Sequence, residues 1–379
     1  MKVQQLLYEQ NQWSLLSDGG VNQPQLVLFF SSAQLCREQD PWQLLHQRFP
    51  SACIAGLSTG GEILGDEVFD KSISAVAIEF EHSHIQLVSS TIDDPEQSAQ
   101  QAQKLVSQLP QQDLKLVWLL SDGMQVNGSE LINGCRQILP EDIFLTGGLA
   151  GDGADFNHTY VSANGPAQSG QLAAVGFYGP QLEIGWGSMG GWDNFGPKRI
   201  VTRSQDNVLY ELDGQPALEL YKRYLGEDAQ HLPGSALLFP LTIQHPDEEN
   251  TALIRTILSV DESDNSLTFA GNVPQGYMAQ LMRGNFDHLI EGAAQAAESA
   301  NIHTSETSLA LLVSCIGRKL LMGQQVADEV EVVADILGPK TKLAGFYSYG
   351  EIAPDGFSQR CEFHNQTMTI TTISEKTDA

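Results

Sequence analysis

Short apolar runs alternate with amphipathic stretches along the first half of this chain, which predicts strands and helices in succession. Residues 25–30 (QLVLFF) and 114–120 (LKLVWLL) are apolar almost throughout, as buried strands are. Further strands are expected at 51–55, 73–80, 84–90, 143–146, 172–178 and 182–189, with helices at 42–49, 94–109 and 129–139. The second helix has a well-formed start. Asp94 can cap it, Pro95 suits the first helical position, and Gln97 can reach back to the cap.

Three glycines, an asparagine and a proline crowd into residues 190–197, which makes that stretch the expected linker. Beyond it, strands are predicted at 198–203, 207–212, 236–241, 254–260, 267–270, 309–315 and 344–349. Helices are predicted at 216–225, 278–299 and 325–337. The long one places Met282, Phe286, Leu289, Ala293 and Ala297 on one face. Residues 367–373 (TMTITTI) alternate strictly, as a half-buried final strand would. The fold class expected is α/β of the mixed α+β kind, as two layered α/β domains with largely mixed sheets. A chain of 379 residues exceeds one ordinary core, and the boundary falls near residue 195.

Charge narrows the partners. The net charge is −27, from 47 acidic against 20 basic side chains. Such a surface repels phosphate backbones and anionic lipid, so nucleic acid and membrane are excluded as partners, whereas a basic protein surface is compatible. The N-terminus is polar and Gln-rich without the pattern of a signal peptide, and no apolar run approaches a membrane span. Five dispersed cysteines (Cys36, Cys53, Cys135, Cys315, Cys361) form no CxxC. Reduced thiols in a cytoplasmic protein are therefore expected.

Candidate chemistry is sparse. Gly56-Leu57-Ser58-Thr59-Gly60 matches the G-x-S-x-G elbow of hydrolases, yet the glycine-rich residues that follow make a poor helix. A glycine turn facing a ligand with its N–H groups is the competing reading. Thr146 to Gly153 is rich in glycine but lacks both the lysine of a phosphate loop and a following helix. Arg318, in a small turn after an apolar strand, could clamp a carboxylate or pair with a surface acid. Cys315 reads as a small buried hydrophobe. His82 and His84 are the one close pair among nine histidines, and no third metal ligand accompanies them. His364 sits in a polar turn and is either ligand-facing or structural.

Taken in order, several blocks resemble the FIST family over nearly the whole chain. They are Ser58-Thr59-Gly60-Gly61-Glu62-Ile63, Leu120-Ser121-Asp122-Gly123, Thr146 to Gly153, Tyr210 to Ala217 and Phe239-Pro240-Leu241. Val273-Pro274-Gln275-Gly276, Ser314 to Arg318, Gly345 to Ile352 and His364 to Thr369 continue the series. Leu57 departs from the pattern, standing where many relatives carry cysteine. The resemblance implies a FIST N-terminal domain over 1–195 and a FIST C-terminal domain over 196–379. It also implies a non-catalytic sensor of a small-molecule ligand, amino acids among the candidates, reporting to a signalling protein. A stand-alone subset of the family implies haem b as cofactor, nitric oxide as signal and a histidine kinase as partner. The ligand-contacting positions implied are Ser58, Thr59, Gly60, Glu62, Arg318, Tyr347, Tyr349, Glu351, His364 and Asn365. His364 or another histidine would be the haem axial ligand, with Arg283 or Arg318 near the propionates. An amino-acid sensor without haem, a serine hydrolase using Ser58 and a plain scaffold are the alternatives.

Overall fold

Strands Leu26–Ser32 and Cys53–Thr59 lie parallel because the chain between them is spent on two helices, Ala33–Glu38 and Pro41–Arg48. Asp40 caps the second of these helices, and Pro41 fills its first position. The computed structural model describes residues 1–232, 234–247, 252–301, 307–355 and 360–376. Within them the same parallel unit recurs twice. Leu114–Ser121 and Phe144–Leu149 are joined through helix Gly128–Arg136. Leu309–Cys315 and Lys342–Ser348 are joined through helices Ile316–Met322 and Val326–Leu337.

Each parallel pair is flanked in the same way. An antiparallel return strand follows on one side: Ile73–Glu79, Gln171–Tyr178 or Met368–Glu375. The repeat's first strand lies beyond it: Lys2–Glu9, His84–Thr91 or Leu182–Met189. The other side is closed by a short strand from a different repeat. Glu62–Leu64 of the first repeat joins the third sheet, Val161–Ala163 of the second joins the first sheet, and Gly350–Pro354 of the third joins the second sheet. The exchange is cyclic, so the chain is a three-part ring of sheets.

The inner faces of all three sheets share one core. Phe30 and Leu57, Trp118 and Val175, and Val313 and Phe346 are fully buried in it. Phe29 and Ile54 point the other way, onto Leu45 of the helix Pro41–Arg48. Burial on both faces explains why these strands are apolar without alternation. Residues between Leu182–Met189 and helix Phe286–Ala300 form an inserted, largely antiparallel sheet with its own core around Leu209, Tyr221 and Phe269.

Several local expectations are corrected. The stretch expected as a linker opens the 14-residue strand Trp192–Gln205, whose register shifts between Phe195 and Arg199, with Pro197 inside the irregularity. The helix predicted over 278–299 is the strand Met278–Gly284 followed by helix Phe286–Ala300, with Asn285 as its cap. The first half of 236–241 is a 3₁₀ turn (Gly234–Leu238) and a strand starts only at Leu241, while 254–260 divides into Leu253–Arg255 and Ile257–Asp261. The final strand is buried on both faces, since Ile373 points into the shared core while Met368, Ile370 and Thr372 face helix Phe286–Ala300. Two strands in the polar N-terminus, Lys2–Glu9 and Gln12–Ser17, escape the apolar pattern. Among the described residues no helix is long and apolar enough to cross a membrane.

Candidate functional site

The three turns that leave the parallel pairs meet and interlock. Gly60 N–H donates to the Tyr347 carbonyl (2.8 Å), Gly151 N–H to that of Ser58 (2.8 Å), and Tyr349 N–H to that of Leu149 (3.4 Å). Each donor lies two residues beyond the acceptor of its own repeat. A cleft of about 400 Å³ opens at this junction. Thr59, Gly60, Gly61 and Glu62 line it, with Arg37 from helix Ala33–Glu38, the turn residues Asp70 and Lys71, and Asp152, Asp155 and Asn157 from the following repeat.

Glu62 is the buried acid of this cleft. Its Oε1 accepts the Thr59 hydroxyl (2.5 Å), and its Oε2 accepts both the N–H (3.2 Å) and the hydroxyl (2.7 Å) of Ser72. Burial pushes its carboxyl up to about 7, against the opposing pull of those bonds and of Lys319. The third repeat repeats the arrangement. Glu351 accepts the Ser348 hydroxyl (2.7 Å) and the N–H (3.1 Å) and hydroxyl (3.0 Å) of Thr367, and burial raises it to about 8. In the second repeat the N–H before the return strand, that of Gly170, goes to Asp122 (2.9 Å), which follows the first strand of the pair and not the second.

The structure brings Thr59, Gly60 and Glu62 together at the cleft, with Tyr349 behind them. Tyr349 donates to Asp152 and to the Gly153 carbonyl (3.1 Å), and its ring stacks on Phe156 at 4.5 Å. The other expected contacts are occupied within the protein. Arg318 is fully buried: its Nε and Nη2 bond Glu329 (3.0 and 2.7 Å), and Nη1 and Nη2 reach the Gly190 and Leu289 carbonyls. Tyr347 donates to the same Glu329 (2.8 Å). Asn365 accepts from the Thr256 N–H (3.2 Å), fastening the inserted sheet to the ring.

Ser58 is fully buried, and its Oγ accepts the Tyr160 N–H (2.9 Å). The G-x-S-x-G run continues a strand into Gly60-Gly61 with no helix after it, so it is no nucleophile elbow. His364 Nε2 lies 3.1 Å from the Ala353 carbonyl oxygen, and burial pulls the ring down to about 4, keeping it neutral. An axial haem ligand needs a ring nitrogen facing a slot wide enough for the macrocycle. His364 is buried against its own sheet, with Nε2 turned to the Ala353 carbonyl, and does not line the cleft, so it does not fit that role as placed. Arg37, Asp70, Lys71, Asp152, Asp155 and Asn157 are cleft residues that sequence reasoning missed, and Lys319 bonds two of the lining residues, Gly60 and Asp70. Asp152 lies in the glycine-rich run Thr146 to Gly153 and Lys319 directly follows Ser314 to Arg318, but nothing local marks Arg37 or Lys71.

A cyclic ring of mixed sheets with a polar cleft at the crossing of its turns has the form of a ligand-binding protein. The FIST N domain matches residues 25–215 and the FIST C domain residues 217–354, and the chain belongs to the FIST family of small-ligand sensing domains in signal transduction. Among curated proteins, none matches this sequence. Among solved structures it is similar to a cyanuric acid hydrolase from A. caulinodans, at 9% identity and a TM-score of 0.37, covering 95% of this chain and 92% of that one. At that score the likeness carries no argument about activity.

Proposed function

We propose that this FIST protein is a non-catalytic cytoplasmic sensor whose ligand is a small zwitterion of the amino-acid type, bound in the cleft over the interlocked turns. One observation carries the reading: the cleft sets the cations Arg37 and Lys71 beside the anions Asp152 and Asp155, around the buried acid Glu62. Its volume of about 400 Å³ lies in the range of small-molecule sites. Its walls come from two repeats, so a bound ligand favours one arrangement of the turns, and a signalling partner such as a histidine kinase reads that arrangement. All five cysteines are free thiols, in keeping with a reducing compartment.

A thermal-unfolding screen over the natural amino acids, with hemin as a separate arm, tests this. A ligand held at a hundred times its Kd should stabilise the protein by about 2.7 kcal/mol. Arg37→Ala, at an exposed position, should reduce that gain without changing the ligand-free midpoint. Stabilisation by no amino acid sinks the reading. Stoichiometric hemin uptake with a Soret band would replace it by the haem and nitric oxide version.

A further inference from the structure

We propose that Lys319 recognises the ligand's carboxylate and that Asp70 holds its place until the ligand arrives; this rests on the cleft reading above. Lys319 leaves helix Ile316–Met322 of the third repeat and crosses to the turn of the first. Its ammonium donates to the Gly60 carbonyl (2.8 Å), faces the Tyr347 ring at 5.6 Å and pairs with Asp70. The lysine side chain is 14% exposed and that of Asp70 is 70% exposed. A cation largely withdrawn from water is thus closed off by one carboxylate standing in water at the cleft. Gly61 keeps the approach bare: a Cβ there would lie 2.3 Å from Nζ, and its φ of +152° suits glycine.

The turn that carries Asp70 has an unusual backbone and one firm anchor. Lys71 has φ +58°, a region that non-glycine residues seldom adopt, and Ser72 is held by Glu62. Solvent competes for an exposed carboxylate, so the Asp70 pair gives way easily to a ligand carboxylate that supplies the same charge from inside the cleft. Tethering keeps Asp70 at high effective concentration, which makes it a competitor and not a bystander. Its displacement releases a turn that joins strand Glu67–Phe69, in the third sheet, to Ile73–Glu79, in the first. Ligand recognition is thereby coupled to the contact between two sheets.

Calorimetric titration of the full chain with succinate, L-alanine and L-glutamate, with n-butylamine as cation control, tests the exchange. Carboxylates should bind and the amine should not. Asp70→Asn should tighten carboxylate binding about two- to fivefold, the equivalent of losing one exposed ion-pair competitor. Lys319→Met should weaken it by at least about tenfold, as loss of a charge-assisted hydrogen bond does. Asp70 is solvent-exposed, so Asp70→Asn decides the matter even where Lys319→Met does not fold. Unchanged or weaker carboxylate binding in Asp70→Asn overturns this inference and leaves the cleft reading standing. Absence of binding in both wild type and Asp70→Asn overturns both.

Discussion

Arg318 and Glu329 form an ion pair in which neither side chain is exposed. Both oxygens of Glu329 are engaged, Oε2 by the guanidinium and Oε1 by the hydroxyls of Ser314 (3.1 Å) and Tyr347 (2.8 Å). The remaining guanidinium bonds reach carbonyls of two further segments, so one side chain ties together the third sheet, the start of the insertion and helix Phe286–Ala300. A pair of this kind adds little over an apolar core, but breaking it strands a charge. Arg318→Met should therefore cost about 3–5 kcal/mol in urea unfolding, and a double change with Glu329→Gln should recover part of that loss. A loss below about 1 kcal/mol for Arg318→Met alone would mean that the pair does not hold these segments together.

Helix Phe286–Ala300 begins where it does because of its cap. Asn285 adopts extended backbone, and its Oδ1 accepts the Asp287 N–H (3.1 Å). Asn285→Ala should cost about 1 kcal/mol and Asn285→Ser much less, measured by thermal unfolding. The same boundary shows what the sequence made legible. Leu289, Ala293 and Ala297 keep helical spacing and are buried, but extending that spacing back through Phe286 and Met282 joined an exposed residue to a strand residue. Spacing of four is shared by a helix face and by alternate positions of a strand, so only the cap separates them. Strands such as Leu26–Ser32 and Leu114–Ser121 were legible as apolar runs, whereas the equal burial of Met368–Glu375 was hidden by its alternating threonines; the cleft's Thr59-Gly60-Gly61-Glu62 turn was legible as a motif. Arg37, Lys71 and Lys319 were not, because they come to that turn from other elements and one from another repeat, through a strand exchange that local pattern does not record.

At the scale of the whole molecule, an acidic side chain accepts the N–H just before the return strand in each repeat: Glu62 and Glu351 from the exchanged strands, and Asp122 from the end of its pair's first strand. Two of the three are pushed up by burial, Glu62 to about 7 and Glu351 to about 8. The groups facing them, Lys319 near Glu62 and Arg318 near Glu351, pull the other way without cancelling the burial. A carboxyl whose folded value lies above its unfolded one supports the fold fully below about 4.5, and that support is lost as pH rises through the folded value. His364 acts in the opposite sense: burial holds it at about 4, below its ordinary 6.5, so its contribution grows between those values and is constant above them. Between pH 6.5 and 8.5 the two glutamates should therefore lower stability by on the order of a few kcal/mol, readable as a falling urea midpoint. Glu362, also raised by burial, shifts in the same direction and stays in place in the test. Paired Glu62→Gln and Glu351→Gln changes should flatten most of the fall. An undiminished fall in the double variant would assign it to self-repulsion of a chain carrying a net charge of −27, and the two buried acids would then have no part in it.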